Sequence, residues 1–217
     1  MKVGPFKGHS LLIVLMICFF VVGYIGHVLD LTRDLMLFLT PLFLLGMGVL
    51  VLYPFYKKKE YRVLLWALGS YVVTFTIEAV GVWTGVVFGE YEYGATLGPG
   101  LFGVPLVIGF NWVIVIMGST ELVRMYVRDK RIYPILAGAI AVVFDIILEP
   151  VAMELDYWNW QGGVIPVQNY VAWFVIATLM SSTYSLVRKD GTSRPLIAYL
   201  LLQTLLFLIV RVFIIGG

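Results

Sequence analysis

Leu11–Gly26 reads LLIVLMICFFVVGYIG, and this uninterrupted apolar run decides the fold class. A helix needs about 20 mostly apolar residues to cross a membrane, whereas the strand of a membrane barrel alternates apolar and polar residues over about 10. Because the run is continuous, it predicts a membrane-spanning helix. It is too long for the apolar part of a signal peptide, and no A-x-A cleavage pattern follows it, so we expect the helix to be retained.

The composition of the whole chain agrees with a membrane protein. Of its 217 residues, 61% are hydrophobic and 13% are charged, with a mean hydropathy of +0.96. Soluble globular proteins contain about 45–50% apolar and about 25% charged residues. Too few polar residues are present to cover a soluble core, and apolar residues are too abundant for disorder or a coiled coil. We therefore expect a single membrane domain over residues 1–217.

Six further apolar runs complete a set of seven predicted helices. The connections on one side carry thirteen of the fifteen Lys and Arg residues, and the other side has only Arg33 and Arg211. Since basic loops stay in the cytoplasm, this predicts a cytoplasmic N-terminus and a C-terminus outside. Basic loops also suit anionic lipid headgroups, so we expect lipid contacts in the cell (plasma) membrane and no nucleic-acid partner. The predicted fold class is all-α integral membrane, with spans at 10–30, 35–54, 61–83, 103–125, 132–154, 167–187 and 195–215.

The two long connections on the outer side, 84–102 and 155–166, contain no Lys or Arg and are rich in Gly, Pro and aromatic residues. Such loops favour the headgroup level, where they can cap the bundle. The two stretches also follow one order: an acid, an aromatic pair, a Gly-Val step and a Trp seven residues after a Pro. The first runs from Glu78 to Trp112 and the second from Glu149 to Trp173. Either a parallel helix-pair repeat or chance similarity accounts for this.

Most of the acids lie near water, but three do not: Glu78, Asp145 and Glu149. An ionisable group at membrane depth costs a few kcal/mol and usually faces the interior of the bundle. At a rise of about 1.5 Å per residue, all three lie roughly 20–25 Å from the cytoplasmic side. Asn111 and His27 reach the same level from other helices. Asp145 and Glu149 are four residues apart, so they share one helix face, and in a dry site one of them should keep its proton.

Two interpretations of this polar layer remain open. The first is a site that handles protons, built on the three acids, with His27 as a further proton-shuttling group. The second is a structural network of hydrogen bonds that links Glu78 and Asn111 to the acid pair, with His27 at the membrane interface. The aromatic residues of the outer half form either an interfacial belt or a cavity lined by π faces, which would suit a polyene or a cation. Those aromatics include Tyr91, Tyr93, Trp83, Trp112, Trp158, Trp160 and Trp173.

Several kinds of chemistry lack the residues that they require. The single cysteine, Cys18, excludes disulfides and cysteine-based zinc or iron–sulfur sites, and two histidines are too few for a diiron cluster. The last predicted span has no lysine for a retinal Schiff base, and no phosphate-binding or dinucleotide motif is present. We therefore expect neither a metal nor a redox cofactor.

Five motifs lie in the middle of the chain, between about Glu78 and Trp173. They are FGEYEY at Phe88–Tyr93, Leu97-Gly98, GVPL at Gly103–Leu106, DIILEPVA at Asp145–Ala152 and YWNW at Tyr157–Trp160. In these motifs the chain resembles the membrane carotenoid-biosynthesis proteins, which include carotenoid 1,2-hydratases of bacteria and bisanhydrobacterioruberin hydratases of archaea. The resemblance implies addition of water to the terminal C1–C2 double bond of an acyclic carotenoid taken from the lipid phase. It implies no metal and no redox cofactor.

Hydration of an alkene suits the acids, because a neutral carboxyl can protonate C2 and water can then capture the tertiary cation at C1. We expect Asp145, Glu149 and Glu78 to serve as the catalytic acid and base, without distinguishing which of them donates the proton. Asn111 and His27 are predicted to bind water or substrate, and Tyr91, Tyr93, Trp112 and Trp158 to line the pocket. The alternative function is a proton-coupled membrane transporter or a non-enzymatic carotenoid-binding membrane protein.

Overall fold

The computed structural model describes residues 5–188 and 191–216, so Lys2 and Lys189, two of the bases used to predict the orientation, lie outside the described residues. Within these ranges it has seven helices long and apolar enough to cross a membrane, as predicted. Which end faces the cytoplasm stays a prediction from the positive charges. The helices are α1 Pro5–Val28, α2 Asp30–Lys57, α3 Tyr61–Thr84, α4 Leu106–Tyr126, α5 Tyr133–Glu154, α6 Val167–Val187 and α7 Arg194–Val210, which continues as a π-helical turn over Arg211–Ile215.

The turn between α1 and α2 is tighter than predicted, because only Leu29 separates the two helices. The Arg33 guanidinium donates hydrogen bonds to the carbonyl oxygens of His27 and Val28 at 3.0 and 3.4 Å, and it pairs with Asp30 at 2.8 Å. The last carbonyl groups of a helix have no partner within the helix, and a side chain can supply one. The predicted break over 31–34 is therefore wrong. Arg33, in the first turn of α2, donates hydrogen bonds to the last carbonyl groups of α1.

Helix α4 lies at the centre of the bundle. Of its most apolar stretch 83% is buried, against 22–50% for the other six helices. Small residues permit this close packing: a Cβ added at Gly118 would lie 2.9 Å from the Leu196 carbonyl oxygen of α7 and 3.0 Å from the Leu200 Cβ. Close approach through small residues is a common way for membrane helices to associate.

Gly118→Ala should destabilise the protein by about 1–3 kcal/mol, because the new methyl group meets backbone that cannot move freely. Gly69→Ala is the matched control, since a Cβ at Gly69 on α3 meets nothing within 4 Å. We expect the control to be neutral, or stabilising by up to about 1 kcal/mol through helix propensity. Thermal unfolding in detergent measures both, and equal midpoints for the two variants would contradict tight α4–α7 packing.

The two long connections that were predicted to be loops on the outer side contain short strands, which form a cap. Strand β1 (Tyr91–Tyr93) is followed by β2 (Gly100–Leu101) and β3 (Val104–Pro105), which pair as a hairpin before α4. Strand β4 (Trp158–Trp160) follows α5 and pairs antiparallel with β1. Side chains alternate between the faces of a strand, so the aromatic residues of Tyr-Glu-Tyr and Trp-Asn-Trp share the inner face. We call this end of the bundle the cap end.

The opposite end, which we call the basic end, contains a buried acid that the sequence had not indicated. Glu121 of α4 is 0% exposed and its carboxylate accepts hydrogen bonds from the Tyr184 hydroxyl at 2.6 Å, the Arg188 Nε at 2.6 Å and the Ser193 backbone N–H at 2.8 Å. Arg188 also binds Glu60 at 2.8 Å. Because Glu121 is near the end of its predicted span, the sequence predicts an acid close to water there.

Candidate active site at the cap end

Three carboxylates converge beneath the cap, as the depth of each in its helix had predicted. Glu78 comes from α3, and Asp145 and Glu149 lie one turn apart on α5. Their exposed fractions are 3%, 1% and 2%. Among the described residues, the hydrogen-bond donors to these carboxylates are all neutral groups: phenols, indoles or an amide.

Glu149 is the most completely bound of the three acids. The indole N–H groups of Trp158 and Trp160 both donate to its Oε2, at 2.9 and 2.7 Å. The Asn169 amide donates to its Oε1 at 3.0 Å. Hydrogen bonds donated to a carboxylate favour its ionised form. Three such donors hold the Glu149 side chain in place and favour its ionised form.

Asp145 shares the same amide but is only half bound. Asn169 Nδ2 donates to Asp145 Oδ2 at 2.9 Å, in addition to its bond to Glu149. Asp145 Oδ1 is buried, and no group in the described part of the chain forms a hydrogen bond with it. A buried oxygen without a donor is costly as part of an anion, whereas a protonated carboxyl can present an O–H there.

Glu78 is bound by the other strand of the cap. The hydroxyl groups of Tyr91 and Tyr93 both donate to Glu78 Oε2, the latter at 2.9 Å. Burial, and next the charge of Glu78, raise the pKa of both phenols well above the ordinary range. The two tyrosines therefore keep their protons at any physiological pH and act as hydrogen-bond donors to Glu78.

Aromatic rings close the space between these acids. Trp112 of α4 stacks on Trp173 of α6 with ring centroids 3.5 Å apart, and Trp173 stacks on Phe88 at 5.2 Å. The space enclosed by the acids and the rings has a volume of about 10 Å³. A cavity needs about 10–15 Å³ to hold one water molecule. The closed site therefore has room for one water at most.

Two of the predicted site residues lie elsewhere. Asn111 precedes Trp112 on α4, so its side chain points about 100° away around a helix of 3.6 residues per turn. It faces α7, where its Oδ1 accepts hydrogen bonds from the Tyr199 hydroxyl at 2.8 Å and the Gln203 amide at 3.1 Å. The predicted network from Glu78 through Asn111 to the acid pair is therefore wrong. His27 lines a separate cavity between α1, α2 and α7.

The sequence-based prediction missed Asn169, which joins the two acids of α5. It lies in the first turn of α6, three residues after Pro166, and a polar residue there resembles one in contact with lipid headgroups. Trp160 and Trp173 were noted only as aromatic residues of the outer half. The alternation in Trp158-Asn-Trp160 was the available signal, since it places both indoles on one face of a strand.

The family described as carotenoid biosynthesis protein matches residues 11–217. The chain belongs to this family. It is also 31% identical over 112 residues to a protein of Haloarcula japonica named bisanhydrobacterioruberin hydratase. That alignment covers 47% of this chain and 38% of the haloarchaeal protein, so the chain spans well under half of its relative's length. No solved structure matches the chain.

Membership of the carotenoid biosynthesis family confirms the resemblance predicted from the motifs between Glu78 and Trp173. The match reaches beyond those motifs into the first and last helices, which the sequence alone had related to the family only through hydropathy. All residues that form the acid cluster and its cap lie inside the matched region.

Proposed function

We propose that the protein is a carotenoid hydratase of the cell membrane, which adds water across the terminal C1–C2 double bond of an acyclic carotenoid. Its family supports a role in carotenoid biosynthesis, and the name of its haloarchaeal relative supports hydration. The observation that carries the proposal is the half-bound Asp145 beside the fully bound Glu149 in a space that fits one water. An acid, a fixed anion and a water are the three components that hydration of an alkene requires.

Asp145 is the proton donor in this proposal. Its Oδ1 is the carboxyl oxygen that has no donor among the described residues, so it is the position for an acidic proton. The π electron pair of the double bond forms a C–H bond at C2 as the carboxyl O–H bond breaks. C1 then becomes a tertiary cation. General acid catalysis of this kind contributes about a hundred- to ten-thousandfold to a rate.

Glu149 and the surrounding rings stabilise the cation. The carboxylate is held by three N–H donors and does not need to move when positive charge develops near it. The face of Trp112 that does not stack on Trp173 adds cation–π attraction, which is worth up to about 2 kcal/mol in a desolvated site. Water then bonds to C1 through its oxygen and returns one proton to the Asp145 carboxylate, so that one water is consumed and the acid is regenerated.

The hydrocarbon chain of the substrate has a matching groove. A cavity of 960 Å³ lies between α2, α3 and α4, beneath the segment that follows β1, and the described residues that line it are almost entirely apolar. From Phe38 to Leu52 it follows α2 for roughly 20 Å at 1.5 Å per residue. This supports entry of a long polyene from the lipid phase. Since the acid cluster itself is closed, the end of the substrate reaches it only when aromatic side chains of its wall shift.

The test is hydration in oxygen-18-labelled water. Membranes that contain the full chain receive an acyclic carotenoid under nitrogen, without any reductant, and the products are analysed by mass spectrometry. We expect one labelled hydroxyl group at each end that has reacted, because the oxygen comes from water. Absence of a labelled alcohol with every acyclic carotenoid tried would overturn the proposal in favour of a non-enzymatic carotenoid-binding protein or a transporter.

Trp160→Phe should lower the hydration rate by about ten- to a hundredfold. The ring is kept, but one of the three donors to Glu149 is lost, and a hydrogen bond to a charged group is worth about 1.5–3 kcal/mol. Trp83→Phe is the matched control, because Trp83 is 85% exposed at the same end of the bundle. Rates are compared at equal amounts of folded protein. If both variants are equally active, the indole N–H of Trp160 has no part in the reaction.

A further inference from the structure

A second cavity, of 460 Å³, lies between α1, α2 and α7 on the other side of α2 from the apolar groove. Pockets for small molecules usually measure about 300–1,000 Å³. Among the described residues, most of its lining side chains are apolar, and the polar ones are His27, Thr40, Tyr157 and Gln203. The hydrogen bonds of these four residues decide what the cavity can bind.

One of the four is already paired, since the Thr40 hydroxyl donates to the Met36 carbonyl oxygen at 2.9 Å. Burial raises the pKa of Tyr157 to about 12, so the phenol keeps its proton. The proton of Thr40 is therefore not available to a bound molecule, and neither hydroxyl group is ionised.

The other two residues each have an unpaired acceptor. His27 Nδ1 bonds to the Gly23 carbonyl oxygen at 2.8 Å, and since a carbonyl only accepts, Nδ1 carries the proton and Nε2 of the neutral ring is an acceptor. Gln203 uses its Nε2 to donate to Asn111, which leaves its Oε1 as an acceptor. Both atoms are buried and have no partner in the described part of the chain, and the two residues are only 7% and 1% exposed. Buried acceptors of this kind call for a donor, such as an O–H group, carried by a bound molecule.

The cavity adjoins the acid cluster at two points. The Tyr157 ring lies 6.2 Å from that of Trp158, whose indole binds Glu149. The Phe207 ring lies 5.7 Å from that of Phe144, the neighbour of Asp145. An end group that leaves the acid cluster therefore has this cavity directly behind the wall of the site.

We infer that this cavity binds the tertiary alcohol end of an isoprenoid chain, with the hydroxyl group donating to His27 Nε2 or Gln203 Oε1. The ligand class rests on the proposed function, since hydration of a terminal isoprenoid double bond creates a tertiary alcohol. The apolar walls contact the branched hydrocarbon, and the two acceptors distinguish the hydrated end from the unreacted one. The cavity is thus a product site, distinct from the acid cluster.

Binding of a short probe tests this inference separately from catalysis. The full chain in detergent is labelled with nitrogen-15 in its histidine rings, and the His27 signals are assigned by their loss in His27→Leu. The probe is tetrahydromyrcenol, a saturated branched tertiary alcohol, and the control ligand is the same hydrocarbon without the hydroxyl. We expect the alcohol to shift the Nε2 signal of His27 and the hydrocarbon to leave it unchanged. Gln203→Leu should weaken binding of the alcohol about two- to tenfold, the value of one hydrogen bond.

Four outcomes decide between the possibilities. Equal affinity for the alcohol and the hydrocarbon, or an unmoved His27 signal, would overturn the inference. Equal affinity for a straight-chain primary alcohol would indicate a lipid alcohol as the ligand. It would overturn the assignment of the cavity to an isoprenoid end. Binding of tetrahydromyrcenol to Asp145→Asn at wild-type affinity supports a separate site. If the protein binds tetrahydromyrcenol at His27 but never forms a labelled alcohol in oxygen-18 water, the proposed hydration is overturned. The alcohol-binding site is then still supported.

Discussion

Asp145→Asn should reduce hydration by about a hundred- to ten-thousandfold, the usual contribution of a general acid. The asparagine side chain has nearly the size of the aspartate, so packing around it changes little. Its amide cannot transfer a proton to an alkene, and in the proposal no other carboxyl takes over, because Glu149 is held as an anion by three N–H donors. Formation of labelled alcohol in oxygen-18 water measures the effect.

Asp34→Asn is the matched control for this substitution. Asp34 lies near the start of α2 at the cap end and is exposed, so the same change of charge and atoms occurs there without any contact with the acid cluster. We expect wild-type activity for the control, and an unchanged helix content and elution profile in detergent for both variants. An Asp145→Asn protein that keeps more than a tenth of the wild-type rate would remove Asp145 from the role of proton donor.

Arg188→Met should destabilise the protein by about 3–5 kcal/mol, which is the usual cost of removing one partner from a buried ion pair. The side chains of Arg188 and Glu121 are only 5% and 0% exposed. The guanidinium joins Glu121 of α4 to Glu60 at the start of α3 and lies over the Phe55 ring of α2 at 5.1 Å. Burial lowers the pKa of Arg188, but Glu121, Tyr184 and Glu60 together outweigh burial and raise it. Methionine fills a similar volume and leaves Glu121 without this cation.

Unfolding by sodium dodecyl sulfate in mixed micelles, followed by helix content, measures the loss. Arg128→Met is the matched control, since Arg128 is exposed in the connection after α4. A single exposed charge is usually worth less than about 1 kcal/mol, so we expect little change there. Restoring stability in the double variant Arg188→Met, Glu121→Gln would show that the unpaired carboxylate, and not the lost packing, causes the effect. Equal stability of Arg188→Met and the control would contradict a structural role for the pair.

The depth of a residue in the membrane could be predicted from the sequence, but its direction around the helix could not. Hydropathy located the seven helices, and counting along them placed Glu78, Asp145 and Glu149 at one level, where the structure brings them together. The same counting placed Asn111 at that level, although it faces α7. In a helix that is buried on nearly all sides, such as α4, no polar face reveals which way a side chain points.

Contacts between distant segments were the other limit. Strand β1 has only three residues and gains its partner, β4, from a connection more than sixty residues away. Neither segment forms a strand by itself, because isolated short strands are unstable. The burial of Glu121 could not be predicted for a related reason: the cation closest to it, Arg188, comes from the far end of α6. Local sequence patterns contain no information on such pairs.

The pairing of β1 with β4 brings together two similar halves of the site. Tyr91 and Tyr93 bind the acid of the helix before them, and the indoles of β4 bind the acid at the end of α5. The stacked Trp112 and Trp173 hold corresponding positions, each seven residues after a proline. Asp145 lies four residues before Glu149, whereas Thr74 lies four residues before Glu78. The proposed proton donor therefore has no acidic counterpart in the other half, and the proposed chemistry depends on a position at which the two halves differ.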